Sequence, residues 1–243
     1  MKYAVDLHMH SCLSPCGDND MTPNNVVNMA AVKGLDIIAV TDHNTAENLP
    51  AILECAQACG LTVVPGIEVE TAEEVHIVCL FRTLEGAMQM QSVIYDKLPF
   101  IKNRSEIFGE QRICNCEDEV IGEIPKMLII ATSIGTDEIF DIVKNIGGVA
   151  YPAHVDRDSY SVLSNLGFVP ETYKGKYLEL SRNCDFQYFS QQADELTNAG
   201  YHFFRASDAH YLWDIFEREN FMELSEKSVD AVIDKLSALR ESV

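Results

Sequence analysis

The chain has 243 residues, 47% apolar and 23% charged, with no low-complexity tract and no apolar run near the roughly 20 residues that cross a bilayer. These proportions predict one globular domain with a single core and no membrane partner, and the lack of a basic, apolar leader predicts a cytoplasmic protein. A net charge of −20 argues against a long nucleic acid, whose phosphates an acidic surface repels, and leaves a small anionic substrate open if cations occupy the site.

The opening strand, Tyr3-Ala4-Val5-Asp6-Leu7-His8-Met9-His10-Ser11, sets the pattern. Side chains two apart on a strand share a face, so Asp6, His8 and His10 point one way and Val5, Leu7 and Met9 the other. An irregular turn over residues 12–20 leads to a helix from about Thr22, with Thr22 as cap, Pro23 in the first helical position and Gly34 at the exit. Residues 36–40 read as a short buried strand delivering Thr41, Asp42 and His43 at its carboxyl end. A helix over 48–58 closes at Gly60, and a strand over 61–64 follows. Pro65-Gly66 is then expected to bend the chain ahead of Glu68 and Glu70. The apolar run 75–81 makes another strand, with His76 near its start.

Residues 84–134 break the rhythm. Met88, Met90, Val93 and Ile94 mark one helix there, and 116–123 is an acidic loop. Thr136 then caps a helix whose Ile139, Ile142, Val143 and Ile146 share a 3.6-residue stripe, and a strand over 149–151 runs to His154. A helix with Val162, Leu163 and Leu166 precedes a strand over 177–180 that ends at Ser181-Arg182. A helix near 187–199 closes at Gly200. The last strand, near 203–206, ends at Asp208 and His210, and an amphipathic helix with Val229, Val232, Ile233 and Leu236 packs outside. About seven strands separated by helices predict an α/β barrel short of the regular eight, with its site at the carboxyl ends of the strands.

Six of the seven histidines, His8, His10, His43, His76, His154 and His210, fall at strand ends beside carboxylates; His202 does not. Imidazole nitrogen with carboxylate oxygen suits zinc, manganese and iron(II), and the number of donors exceeds the need of one ion, so two or three divalent ions are implied. Ions about 3.5–4 Å apart can share a hydroxide and split phosphate esters, with Glu68 as the bridging carboxylate. The eight cysteines read as reduced thiols; Cys12 and Cys16 are nearest this site, but their spacing lacks a CxxC pairing and they are not counted as ligands.

In the blocks Asp6-Leu7-His8-Met9-His10-Ser11, Thr41-Asp42-His43-Asn44, Pro65-Gly66-Ile67-Glu68 and Ser207-Asp208-Ala209-His210, the chain resembles the PHP (polymerase and histidinol phosphatase) family. The resemblance implies a distorted (β/α)7 barrel, a single PHP domain over 1–243 with an irregular excursion at about 84–134. It also implies a trinuclear site holding Zn, Mn or Fe at the C-terminal ends of the strands. Carried onto this sequence, the metal ligands are His8, His10, Asp18, His43, Glu68, His76, His154, Asp208 and His210. Asp18 is taken from its place five residues before Pro23, and Asp20 is its alternative. Asp6 and Asp42 are expected either to orient imidazoles or to cap backbone amides. Arg157 and Arg182 are placed to bind phosphate, with Arg205 less so.

The implied activity is that of a metal-dependent phosphatase or phosphodiesterase acting on a small phosphorylated substrate, a nucleotide phosphomonoester by preference. A metal-bridging hydroxide would attack phosphorus, with Asp208 or a histidine such as His210 handling the proton. The alternatives are a histidinol-phosphate phosphatase and a non-catalytic metal-binding module. Carbon–nitrogen hydrolysis is disfavoured, because no lysine falls at the end of a late strand.

Overall fold

The computed structural model describes residues 1–240. Strand β1 (Lys2–Asp6) is followed, past a wound loop, by helix α1 (Pro23–Val32). Pro23 opens α1 as its fixed φ favours, but Thr22 forms no side-chain cap, and its buried Oγ1 has no partner. Strand β2 (Ile37–Val40) is wholly buried, and α2 (Leu49–Cys59) ends at Gly60 in the left-handed region, φ 64°.

Strand β3 (Thr62–Glu70) runs straight through Pro65-Gly66, where a bend was expected. A side chain at Gly66 would sit 2.7 Å from both Leu80 and Thr41, so the glycine is there for close packing inside the sheet. The chain then turns within Thr71 to Glu74 and returns as β4 (His76–Leu80), antiparallel to β3, with His76 opposite Glu70. Reversal without a helix puts the start of β4 on the same rim as the end of β3.

The excursion comprises α3 (Leu84–Lys97), α4 (Ser105–Phe108) and a two-stranded hairpin of β5 (Arg112–Cys114) and β6 (Val120–Glu123). The regular rhythm resumes with α5 (Thr136–Ile146), β7 (Val149–Pro152), the short α6 (Val162–Asn165) and β8 (Tyr177–Leu180). It continues through α7 (Phe186–Asn198), β9 (His202–Arg205), β10 (Phe221–Glu223) and α8 (Val229–Leu236). Strand β10 was not foreseen: it is three residues long and adds antiparallel to β1 at the sheet edge.

The main sheet has the order β10-β1-β2-β3-β4-β7. Strands β1, β2 and β3 are parallel, and β4 runs against both its neighbours. Strands β8 and β9 form a separate parallel pair. Backbone bonds beyond the strand ends tie the two sheets: Val155 N–H to Glu179 O at 2.9 Å on one side, and Asp208 N–H to His8 O and His10 N–H to Ala209 O, both 2.9 Å, on the other. The result is an α/β fold with a curled, half-barrel sheet around one apolar core that includes Leu7, Met9, Val40, Ile67, Ile77, Tyr151 and Leu178. Each such buried side chain contributes about 1.5–3 kcal/mol. No helix among the described residues is long and apolar enough to cross a membrane.

Candidate metal centre

The curl of the sheet collects polar side chains from almost every strand at one rim. His8 and His10 lie just past β1, His43 past β2, Glu68 within β3, His76 at the start of β4, His154 past β7, and Asp208 and His210 past β9. All but His210 are buried. Glu68 is the hub. Its Oε1 lies 3.2 Å from His8 Nε2, 3.0 Å from His76 Nδ1 and 3.4 Å from His154 Nε2; its Oε2 lies 3.0 Å from His43 Nδ1 and 3.4 Å from His10 Nε2. Asp208 Oδ1 adds contacts of 2.9 Å to His10 Nε2 and 3.3 Å to His8 Nε2.

These atoms converge without satisfying one another. Both Glu68 oxygens, His8 Nε2, His43 Nδ1 and both ring nitrogens of His154 are buried with no hydrogen-bond partner. A buried polar atom left unpaired costs about 1–3 kcal/mol, so a cluster of six is a strong demand for a ligand. Divalent cations meet it, because lone pairs aimed at a common point are what a cation takes. Three overlapping groups have donors within 4.8 Å of one another: His10 with His43 and His210; His8 with His10, Glu68 and Asp208; and His43 with Glu68 and His76. The cluster is therefore able to hold metal ions.

Its electrostatics agree. Burial pushes the Glu68 carboxyl up, but His76, His8 and His43 outweigh it and hold Glu68 well below the usual carboxylate range. Burial likewise raises Asp208, and His8 and His10 bring it down. Backbone geometry is strained at the same rim: His154, Asp208 and Asn44 have φ of 28°, 50° and 56°. The Asn44 amide donates to Leu128 O at 2.7 Å and Ile130 O at 3.1 Å, fastening the excursion to the site.

Groups behind the imidazoles set their orientation. The His8 Nδ1–H donates to Glu179 Oε1 at 2.9 Å, which turns the Nε2 lone pair inward. Glu179, fully buried on β8, was missed in the sequence; the signal was a lone carboxylate between Leu178 and Leu180 in an otherwise apolar strand. His10 Nδ1 donates to Ser14 Oγ at 3.0 Å, and Ser14 in turn donates to Asp42 Oδ1 at 2.7 Å, so Asp42 acts on His10 through a serine. Asp6 touches no imidazole. It accepts from the backbone N–H of Ser207 and of Phe216, the capping alternative.

The arginines differ. Arg157 Nη1 pairs with Asp208 Oδ2 at 2.7 Å, at the mouth of the cluster. Arg182 is bound to Asp214, and Arg205 to the carbonyls of Arg182 and Cys184. Arg157, Arg182, Asp208, Tyr188 and Phe189 line an open cavity of about 560 Å³ beside the cluster.

Asp18 does not join the cluster. Its Oδ1 accepts from the Asp20 N–H at 2.8 Å, and it lines a surface cleft with Cys16, Ser105, Glu110 and Tyr211. Asp20 is exposed and does not join either. The loop instead presents Cys16, whose Sγ is 3.2 Å from His210 Nε2. Burial raises the Cys16 thiol, but His43 and His210 outweigh it and bring it down to about 5. The excursion braces this loop: Leu98 and Leu128 pack on Leu13, and Arg112 N–H donates to Cys12 O at 3.2 Å.

A family model described as the PHP domain matches residues 6–183. Among curated relatives, the chain is 38% identical over 85 residues to a 5'-3' exoribonuclease of Salmonella typhimurium, covering 32% of this chain and 28% of that protein. It is 39% identical over 80 residues to a phosphoribosyl 1,2-cyclic phosphate 1,2-diphosphodiesterase of Eggerthella lenta, covering 31% and 29%. Both names denote enzymes that cleave phosphoric ester bonds, and the chain spans under a third of either. Among solved structures, a metal-dependent phosphoesterase candidate from Bifidobacterium adolescentis superposes with a TM-score of 0.60 at 16% identity over 96% of this chain and 94% of that one.

Endonuclease Q in complex with a 27-mer duplex substrate, with an abasic lesion at its active site, superposes with a TM-score of 0.68 at 18% identity over 99% of this chain and 58% of that one. The last finding corrects the expectation from net charge that a long nucleic acid is excluded. This fold serves a protein acting on a duplex, and total charge does not report the local potential at a cluster able to hold cations.

Proposed function

The chain belongs to the PHP domain family, and from that premise we propose that it is a metal-dependent phosphoesterase acting on a nucleotide ester, either free or within a nucleic-acid strand. The observation that carries the reading is the convergence of unpartnered imidazole and carboxylate atoms beside a cavity walled by Arg157 and Arg182. We read the curled sheet as a distorted (β/α)7 barrel forming one domain, and His8, His10, His43, Glu68, His76, His154, Asp208 and His210 as the groups that hold the ions. When bound, divalent ions supply Lewis-acid stabilisation of phosphoryl charge and lower the pKa of water.

The chain's own groups do the rest. Glu179 and the Ser14–Asp42 pair fix the His8 and His10 rings, so their Nε2 atoms need no reorientation. Arg157 lies against Asp208 with 42% of its side chain exposed, where its remaining N–H groups can meet a phosphate oxygen. Arg182 also lines the cavity, with Nη1 held by Asp214 and its other N–H groups left for a phosphate oxygen. His210 Nδ1–H donates to Asp208 O at 2.8 Å, which leaves the Nε2 lone pair as the donor this ring offers at the rim. A nucleotide is favoured by aromatic rings at the mouth. Tyr160 stacks on His76 with centroids 4.8 Å apart, and the exposed Tyr188 lines the cavity.

The test is phosphate or nucleotide release from nucleoside mono- and bisphosphates, histidinol phosphate, single strands and a duplex, with Mn²⁺ or Zn²⁺ and with chelator. Metal-dependent release from a nucleotide substrate supports the reading, and release from histidinol phosphate alone overturns its substrate.

A further inference from the structure

Cys16 stands where the sequence reading placed a carboxylate. The loop that carries it is wound tightly: Ser14 N–H bonds Ser11 O at 3.2 Å, Gly17 N–H bonds Ser14 O at 2.8 Å, and Asp18 N–H bonds His210 O at 2.8 Å. A side chain at Gly17 would come within 2.7 Å of Ser11 O, so the turn closes only with glycine there. Outside the turn, Gly109 of the excursion packs directly against the Pro15 carbonyl. Cys16 is thus held between two clamped positions, with Sγ 3.2 Å from His210 Nε2 and in contact with His43.

Both imidazoles belong to the His10, His43 and His210 group, whose donors lie within 4.8 Å of one another. The rings of His10 are 4.3 Å from His210 and 4.5 Å from His43 by centroid. His43 is only 6% exposed and stands between the two groups: its unpartnered Nδ1 lies 3.0 Å from Glu68 Oε2, while the ring also contacts the Cys16 thiol. His210 Nδ1 is committed to a carbonyl, so its Nε2, the atom beside the thiol, is the free donor.

We propose that Cys16 is a thiolate ligand of a metal ion held by His10, His43 and His210, giving this position a three-nitrogen, one-sulfur donor set selective for zinc. Three imidazoles and a thiolate satisfy a tetrahedral ion, and a soft sulfur donor favours zinc over manganese, which prefers oxygen. Asp18 does not take this place, because its carboxylate is turned back to its own loop, where it accepts the Asp20 N–H at 2.8 Å. The inference rests on the reading of the cluster as a metal centre.

The experiment is cobalt(II) titration of the metal-stripped protein, followed by absorption, with zinc and manganese content measured by mass spectrometry. Wild type, Cys16→Ser, Cys16→Asp and, as a control thiol, Cys12→Ser are compared. The expected result is a thiolate-to-cobalt charge-transfer band in wild type and Cys12→Ser that is absent from both Cys16 variants. Cys16→Ser should also hold zinc at this position at least about 10-fold more weakly, and Cys16→Asp should regain the ion with a shifted preference toward manganese. Cobalt bound without the band, or a band that persists in Cys16→Ser, overturns the role of Cys16 while leaving the metal centre standing. Failure to bind cobalt at all overturns both.

Discussion

Glu179 and His8, 171 positions apart in the chain, meet behind the metal cluster: the imidazole Nδ1 lies 2.9 Å from one carboxylate oxygen and 3.1 Å from the other. Glu179 also accepts the backbone N–H of His154 at 3.2 Å, so a single carboxylate positions two of the histidines. Glu179→Gln should weaken metal binding by about 10–100-fold with the fold retained by circular dichroism. Competition titration with a chromophoric chelator measures it, and an unchanged affinity would show that His8 is positioned by packing alone.

His8→Ala or Asp208→Ala should abolish release of product while leaving the unfolding transition in place, since each removes a donor from the cluster. Chelator should do the same to wild type, reversibly on adding metal. Turnover that survives chelation would sink the metal-dependent reading.

Arg157 should act on substrate binding. Its guanidinium holds Asp208 at 2.7 Å and faces the cavity, so Arg157→Ala is expected to raise KM for the phosphate substrate about tenfold, equivalent to about 1.4 kcal/mol. The effect on kcat should be smaller. Steady-state kinetics separate the two, and a fall confined to kcat would assign Arg157 to positioning Asp208 instead.

Gly109 has φ 100°, and a Cβ there would collide with the Pro15 carbonyl oxygen. Gly109→Ala should cost more than about 1–3 kcal/mol in urea unfolding, because both the backbone angle and the contact are lost. The same variant should bind less metal, since the displaced segment carries the loop that reaches His210.

Glu73 supplies a pH-dependent link between the β3–β4 turn and α5. Its Oε2 accepts from the Thr136 N–H at 2.8 Å and hydroxyl at 2.6 Å, doing for the helix start what Gly135 has no side chain to do. Burial acts to raise this carboxyl, and the Thr136 hydroxyl and N–H outweigh it and lower it below the ordinary glutamate value. A carboxyl with a depressed folded pKa stabilises above its unfolded value and loses that contribution as pH falls through the folded one. The stability gap between wild type and Glu73→Gln should therefore be present at neutral pH and close below about pH 4.5. Solvent exposure of Glu73 keeps the gap small. Thermal melts across this range check it, and a gap that widens on acidification would reverse the sign.

Most of the cluster was legible before the fold, because apolar runs with His, Asp or Glu at their ends predict both the strands and the rim on which those residues gather. His76 was placed on that rim for an incomplete reason: it begins its strand, and it reaches the rim only because β4 runs antiparallel to β3. The straight passage of β3 through Pro65-Gly66 depends on the closeness of Leu80 and Thr41, which local residue preference does not carry. Glu179 was missed although a lone carboxylate in an apolar strand marked it, Cys16 was set aside for want of a CxxC pairing, and the bracing role of the excursion was outside reach.

The sequence by itself determined which side chains could bind a cation, the alternation that puts His8 and His10 on one face, and the family to which their spacing belongs. Tertiary structure decided which of Cys16 and Asp18 faces the histidines, which carboxylate orients His8, and what holds the loop in place. The division is physical. Which side a residue points to follows from dihedral preferences shared with its near neighbours, whereas the partner it meets depends on strand register and loop closure between segments 100 or more positions apart, such as Cys12 and Arg112.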